Sequence, residues 1–168
     1  RDQPLRVGVP FPYSMHRLLF EYLVEGTQGV RSDLISIFTT PPPLMADAVA
    51  RGDLGLFCVG EPWGTVAVST GQAELILPGA SIWAHAPEKV LGMRRDWVAD
   101  NDATCGALLR AVYRAARWLG QAENQPLASE ILARSEHLNL PDHAIDPALT
   151  GHVQCRHGDA PVHIPNFL

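Results

Sequence analysis

Leu54-Gly55-Leu56-Phe57-Cys58-Val59-Gly60-Glu61-Pro62-Trp63 is an apolar run that ends at a glycine, a carboxylate and a proline. The run reads as a short buried strand over 54–59. Pro62 stands where a helix begins, because its missing N–H would have had no partner there anyway. The strand therefore feeds a helix over about 62–70, with the amides of Trp63, Gly64 and Thr65 at its start. Such a junction favours an anion, since the helix dipole adds partial positive charge to those donors. Glu61 and Trp63 at the same turn point to a lined pocket.

Upstream, residues 5–9 read as a strand running into Pro10-Phe11-Pro12. Ser14 caps a helix over 15–25 with Leu18, Leu19, Tyr22 and Leu23 on one face, ended by Gly26 and Gly29. A second strand covers 33–39 and stops at Pro41-Pro42-Pro43, followed by a helix over 43–51. This β-α-β-α-β order predicts a parallel sheet with right-handed crossovers. Downstream, 74–77 and parts of 81–94 read as strands. Residues 103–119 form an amphipathic helix with Leu108, Leu109, Val112, Tyr113, Ala116 and Leu119 on its apolar face. Further helices fit 126–134 and 142–149, and the tail from Thr150 reads as a loop or arm. The division expected is an α/β ligand-binding lobe over 1–94 and a helical region with tail over 95–168.

The 168 residues can bury roughly 70% of their extended surface, enough for one domain or two small lobes. A net charge of -5, without any Lys/Arg cluster, argues against direct contact with nucleic acid. Lys89 is the only lysine. No window of about 18 apolar residues supports a transmembrane helix. No signal peptide is present and the chain begins at Arg1, so it reads as processed or as part of something longer. The three separated cysteines, Cys58, Cys105 and Cys155, make a poor disulfide framework and lean toward a reducing compartment.

Ligands of open parallel sheets bind beyond the carboxyl ends of the strands. Three such ends are visible, at 10–16, 39–43 and 60–63. In the first, Tyr13, Ser14 and His16 open a helix; Ser14 with His16 can donate to an oxyanion, but from spacing alone an ordinary N-cap and a surface histidine are the favoured reading. Glu61 either pairs with Lys89, fixing its ammonium at the pocket, or satisfies the first turn of a helix. Trp63 reads as core or as a platform, and Lys89 as pocket cation or solvated charge. His152, Cys155, His157 and His163 match no closed zinc spacing. No dinucleotide, P-loop or nucleophile-elbow motif occurs, and no cofactor is expected.

Several segments together resemble the nitrate- and bicarbonate-binding family of solute-binding proteins, including the nitrate sensors of assimilation operons. They are Phe11-Pro12-Tyr13-Ser14-Met15-His16, Pro41-Pro42-Pro43-Leu44-Met45, Val59-Gly60-Glu61-Pro62-Trp63, Ile82-Trp83 and Pro87-Glu88-Lys89-Val90-Leu91-Gly92. Tyr113-Arg114-Ala115-Ala116-Arg117-Trp118, Pro147-Ala148-Leu149-Thr150-Gly151 and Asn166-Phe167 extend the likeness to nearly the whole chain. The resemblance implies a type II periplasmic-binding-protein fold, in which two α/β lobes close on a small planar oxyanion. It also implies that this chain is one lobe plus the helices and tail that return to the other, missing one. His16 and Lys89 would contact the anion, and Tyr13, Ser14, Glu61 and Trp63 would line or support it. Two departures bear on which anion is bound. Arg17 replaces the asparagine after the histidine, and Gly64 stands where an asparagine often follows Glu-Pro-Trp.

The resemblance implies a non-enzymatic protein that binds nitrate or nitrite first, and bicarbonate or a sulfonate second. Its partner is an ABC permease for an importer component or a regulator for a sensor. The free cysteines and the 113–118 and 147–151 blocks favour the sensor, and with it the cytoplasm over the periplasm. An enzyme of the pyrimidine-synthase type on the same fold is the alternative, but the glycine-rich phosphate turn it needs is not seen. A lone lobe that binds nothing by itself is the third possibility, since half a cleft cannot compensate the anion's desolvation.

Overall fold

The computed structural model describes residues 4–165 and 167, which fall into two compact units: Arg1–Ala86 with His143–Leu168, and Pro87–Asp142. Asn166, part of the last resemblance segment, lies outside the described residues. In chain order the elements are β1 (Leu5–Val9), α1 (Met15–Gly26), β2 (Ile35–Thr39), α2 (Met45–Ala50), β3 (Leu56–Phe57), α3 (Trp63–Ser69) and α4 (Gly79–Ile82). After them come α5 (Arg95–Asp100), α6 (Asp102–Leu119), α7 (Gln125–Ala133), α8 (Asp142–Thr150), β4 (His152–Val153) and β5 (Val162–His163).

In the first unit β1 lies between β2 and β3, and both run parallel to it. The register sets Leu5 against Ile35 and Val7 against Leu56. Parallel neighbours need long crossovers, and α1 and α2 lie within them. Central placement explains why Val7 and Val9 are fully buried while the edge strand β2 is half open. Gly8 sits where a Cβ would come within 2.6 Å of Leu54 Cδ1, so the bare backbone lets Leu54 lie close against the strand. Met45, Ala48, Leu54, Ala67 and Val68 form the core with Leu19 and Phe20. Ala144, Ile145, Ala148 and Val153 are buried further along the same unit. Burying a side chain such as Val7 or Met45 contributes about 1.5–3 kcal/mol.

Several expectations are corrected here. The strand at 54–59 shrinks to Leu56–Phe57, although Gly55 N–H donates to Arg6 and Cys58 N–H to Gly8 at its two ends. Pro62 precedes α3 as its N-cap instead of being its first residue. Residues 74–77 form no strand: the Leu75 amide donates to the Cys155 carbonyl, and Ile76 stands in solvent with no ladder to join. Within 81–94 there is no strand either. Residues 81–82 end the short helix α4, and Val90 and Leu91 are exposed, so the apolar pattern has no sheet to bury it. The tail is more regular than a loop, because β4 pairs antiparallel with β5. On α1 the buried residues are Leu19 and Phe20, whereas Leu18 and Tyr22 face solvent. Tyr22 lies against Trp83 instead, ring centroids 5.4 Å apart.

The second unit holds α5, α6 and α7. Cys105 is buried and its Sγ lies 3.5 Å from Met93 Sδ, while buried Ser129 donates to the Asp142 carbonyl at 3.2 Å. The amphipathic helix expected at 103–119 is α6, but most of its large apolar residues are exposed. The compact units divide at 86/87 and 142/143, so residues 143–168 belong with the first unit instead of with the helical region. No helix among the described residues is long and apolar enough to cross a membrane.

Candidate functional site

The carboxyl ends of β1 and β3 lie side by side because the two strands are neighbours. The loop after β1 is a tight turn in which the Ser14 amide donates to the Phe11 carbonyl at 3.1 Å. Phe11 and Tyr13 meet edge to face at 5.9 Å, and Tyr13 is exposed. Ser14 is the N-cap of α1, accepting from the Arg17 amide at 3.3 Å. Arg17 clamps the turn from the other side. It donates to the Pro12 carbonyl at 3.4 Å and to Glu21 at 2.8 Å. Sequence reasoning marked Arg17 only as a departure; the i,i+4 spacing to Glu21 was the available signal.

His16, in the first turn of α1, reaches the loop after β3. Its Nε2 lies 3.4 Å from where a Cβ on Gly60 would stand, so the imidazole packs against that turn. Glu61 follows directly, and its Oε2 accepts from the Thr65 amide at 3.1 Å. A Cβ on Gly64 would come within 2.7 Å of Glu61 Oε1, so the missing side chain at 64 makes room for the carboxylate. The bare helix start expected at 63–65 is therefore corrected: one of its amides already has an internal anion. Burial pushes the Glu61 proton affinity up, and the hydrogen bond from Thr65 partly opposes this. Trp63 opens α3 and is half buried.

Lys89 belongs to the second unit. Of the two readings the sequence offers for Lys89, pocket cation paired with Glu61 or solvated charge, its own unit shows an ion pair with Glu88 and a side chain that is 85% exposed. The structure thus sets Tyr13, Ser14 and His16 after β1 and Glu61 and Trp63 after β3, within one unit, and the approach of His16 to Gly60 links the two loops.

Other features lie outside this group of residues. Arg6 of β1 stacks over the Phe38 ring of β2 at 4.8 Å beside an open groove of about 320 Å³, whose lining includes the paired Arg51 and Asp53. The three cysteines are free, and burial pushes the Cys58 thiol up to about 11, leaving it inert at neutral pH. His152 and His163 face each other across β4 and β5, ring centroids 4.8 Å apart. Among the described residues no group of three or more His, Cys, Asp or Glu could hold a metal ion.

A parallel sheet with crossover helices, and a polar cluster at the carboxyl ends of two neighbouring strands, define an α/β lobe of the type II periplasmic-binding-protein class. Residues 1–133 match the NMT1-like family, and the chain belongs to that family. It is 36% identical over 137 residues to the nitrate/nitrite binding protein NrtA of Synechocystis, covering 81% of this chain and 30% of the relative. It is 34% identical over 147 residues to the nitrate import ATP-binding protein NrtC of the same organism, covering 87% of this chain and 22% of the relative. The crystal structure of the periplasmic nitrate-binding protein NrtA from Synechocystis superposes with a TM-score of 0.85 at 28% identity, covering 99% of this chain and 43% of that one. The chain therefore spans less than half the length of each of these relatives.

Proposed function

We propose that this chain supplies residues that hold a small planar oxyanion, nitrate or nitrite, for a solute-binding protein of an ABC importer or for a nitrate sensor. The names of its relatives support the anion. The observation that carries the site is the packing of the His16 imidazole against Gly60, which joins the loop after β1 to the loop after β3. In this reading His16 donates to the anion, and Ser14 and Tyr13 line the approach. Trp63 gives an apolar wall that excludes water, so each hydrogen bond counts for more than in bulk solvent. Glu61 braces α3 through Thr65. Lys89 supplies charge compensation. Such a site works by binding and release, without chemistry on the ligand.

Calorimetric titration of the intact protein with nitrate tests this. His16→Ala and Lys89→Ala are each expected to weaken binding at least ten-fold, which is about 1.4 kcal/mol. Unchanged affinity in the His16 variant would remove the imidazole from the site, and the same result at Lys89 would remove that ammonium. Bicarbonate is the second reading, since the chain is also 31% identical over 133 residues to the bicarbonate transport ATP-binding protein CmpC of Synechocystis. A bicarbonate titration that proves tighter than nitrate would favour it.

A further inference from the structure

β4 and β5 belong to the first unit, and their register sets His152 directly opposite His163 and Val153 opposite Val162. The Ile164 N–H donates to the Gly151 carbonyl at 2.8 Å, so Gly151 and Ile164 are a hydrogen-bonded pair of this ladder. The next pair, His152 with His163, is then of the non-hydrogen-bonded kind, in which opposite side chains stand closest. Val153 is fully buried, and strand alternation turns both imidazoles to the opposite, outer side, where both are exposed. Their ring centroids are 4.8 Å apart and the ring planes are tilted by 38°.

The backbone holds the pair in place. Gly151 is left-handed at φ 70°, and a Cβ there would lie 3.5 Å from His163 Cδ2. The bare backbone at 151 thus lets the His163 ring lie close against the strand. Beyond β4, the Leu75 amide donates to the Cys155 carbonyl and Arg156 pairs with Glu74 at 2.9 Å, tying the ribbon to the rest of its unit. No hydrogen bond or ion pair among the described residues occupies a nitrogen of either ring. Facing imidazoles in solvent bury little apolar area, so packing alone contributes little to their pairing.

A chelate explains the arrangement better. Metal–nitrogen bonds of about 2.0–2.1 Å set two ligating nitrogens roughly 3 Å apart, a spacing that rings 4.8 Å apart reach by side-chain rotation. Imidazole selects late first-row divalent ions over Mg²⁺ and Ca²⁺, which take oxygen ligands. We propose that His152 and His163 form a two-imidazole site for a late first-row divalent metal ion, which staples β4 to β5. Among the described residues no third His, Cys, Asp or Glu joins them, so water fills the remaining coordination positions. The site uses none of the residues of the anion reading, and a failed nitrate titration leaves it intact.

Calorimetry of the untagged, metal-free intact protein with ZnCl₂ and with CuCl₂ tests it. Cu²⁺ is expected to bind more tightly than Zn²⁺, and MgCl₂ to give no saturable heat. His152→Ala and His163→Ala are each expected to weaken Zn²⁺ binding at least ten-fold. His137→Ala, at an exposed histidine of the other unit, is expected to leave it unchanged. Equal losses in all three variants, or no loss at 152 and 163, overturn the proposal. Electron spin resonance of the parent with one equivalent of Cu²⁺ reads the ligands without any variant that must fold. Nitrogen hyperfine structure from two imidazoles is expected, and a spectrum showing one imidazole or none overturns the site.

Discussion

The Glu61 carboxylate caps the helix that follows it, taking the Thr65 amide at 3.1 Å. Removing the oxygen and removing the charge therefore have different consequences. Glu61→Ala leaves the Thr65 amide without its acceptor and is expected to cost about 1 kcal/mol in urea unfolding at pH 7. Glu61→Gln keeps an acceptor and sheds a buried charge, so it is expected to match or exceed the parent. Burial raises the Glu61 proton affinity in the folded state, which then holds its proton more tightly than the unfolded chain does. Glu61 thus lowers stability as pH rises from the ordinary glutamate range through the raised value. The Gln variant is expected to lack that component of the profile; an identical pH profile would rule the linkage out.

Gly64 and Glu61 form a second testable pair. Alanine is favoured over glycine inside a helix by about 1 kcal/mol. At position 64, however, the added methyl would meet Glu61 Oε1 at 2.7 Å. Gly64→Ala is therefore expected to gain little in the parent and about 1 kcal/mol in the Glu61→Ala background. Additive effects in a double-mutant cycle would show that the contact carries no energy.

Anion binding beside Glu61 is expected to be coupled to proton uptake. A new negative charge raises a nearby carboxyl group further in the same direction as burial. Titrations with nitrate in buffers of different ionisation enthalpy measure this directly. The parent is expected to take up more of a proton per anion below neutral pH than Glu61→Gln, in which only other groups at the site such as His16 can contribute. Identical proton counts in both would place the anion away from Glu61.

Gly151 and Gly52 both adopt left-handed backbone, with φ of 70° and 75°. A Cβ at 151 would lie 2.8 Å from the Ile164 carbonyl, whereas nothing stands within 4 Å of one at 52. Gly52→Ala is therefore expected to cost about 1 kcal/mol, the conformational penalty alone. Gly151→Ala is expected to cost at least about 2 kcal/mol, because Ile164 N–H also donates to the Gly151 carbonyl and the β4–β5 pairing starts there. Equal denaturation midpoints for the two variants would contradict the packing at Gly151.

The strand–helix alternation of the first 70 residues was legible because each element carried its own period and its own stop. Ser14, the proline run at 41–43 and Gly60-Glu61-Pro62 punctuate it. What failed was long-range: Ile76 and Val90 sit in strand-like runs, but a strand exists only where a neighbour offers a ladder. The short pairing of β4 with β5 was missed for the opposite reason, since four residues carry no readable period. The end of β1 at Val9 was located correctly, whereas β3 stops at Phe57, two residues short of the expected end. That Glu61 turns back onto Thr65 depends on the bare backbone at Gly64, a three-dimensional fit that spacing does not encode. For Glu61 the sequence offered both a lysine partner and the first turn of a helix, and charge alone could not show that it accepts from Thr65.

Central β1 has one more consequence, for synthesis. The strand emerges first, but the residues that flank it on its two sides are encoded as far along as Phe57. Joining distant segments costs closure entropy before any contact repays it. A ribosome halted short of Phe57 therefore carries Val7 and Val9 without the second wall of their sheet, a window in which a nascent-chain chaperone or a wrong neighbour can claim them.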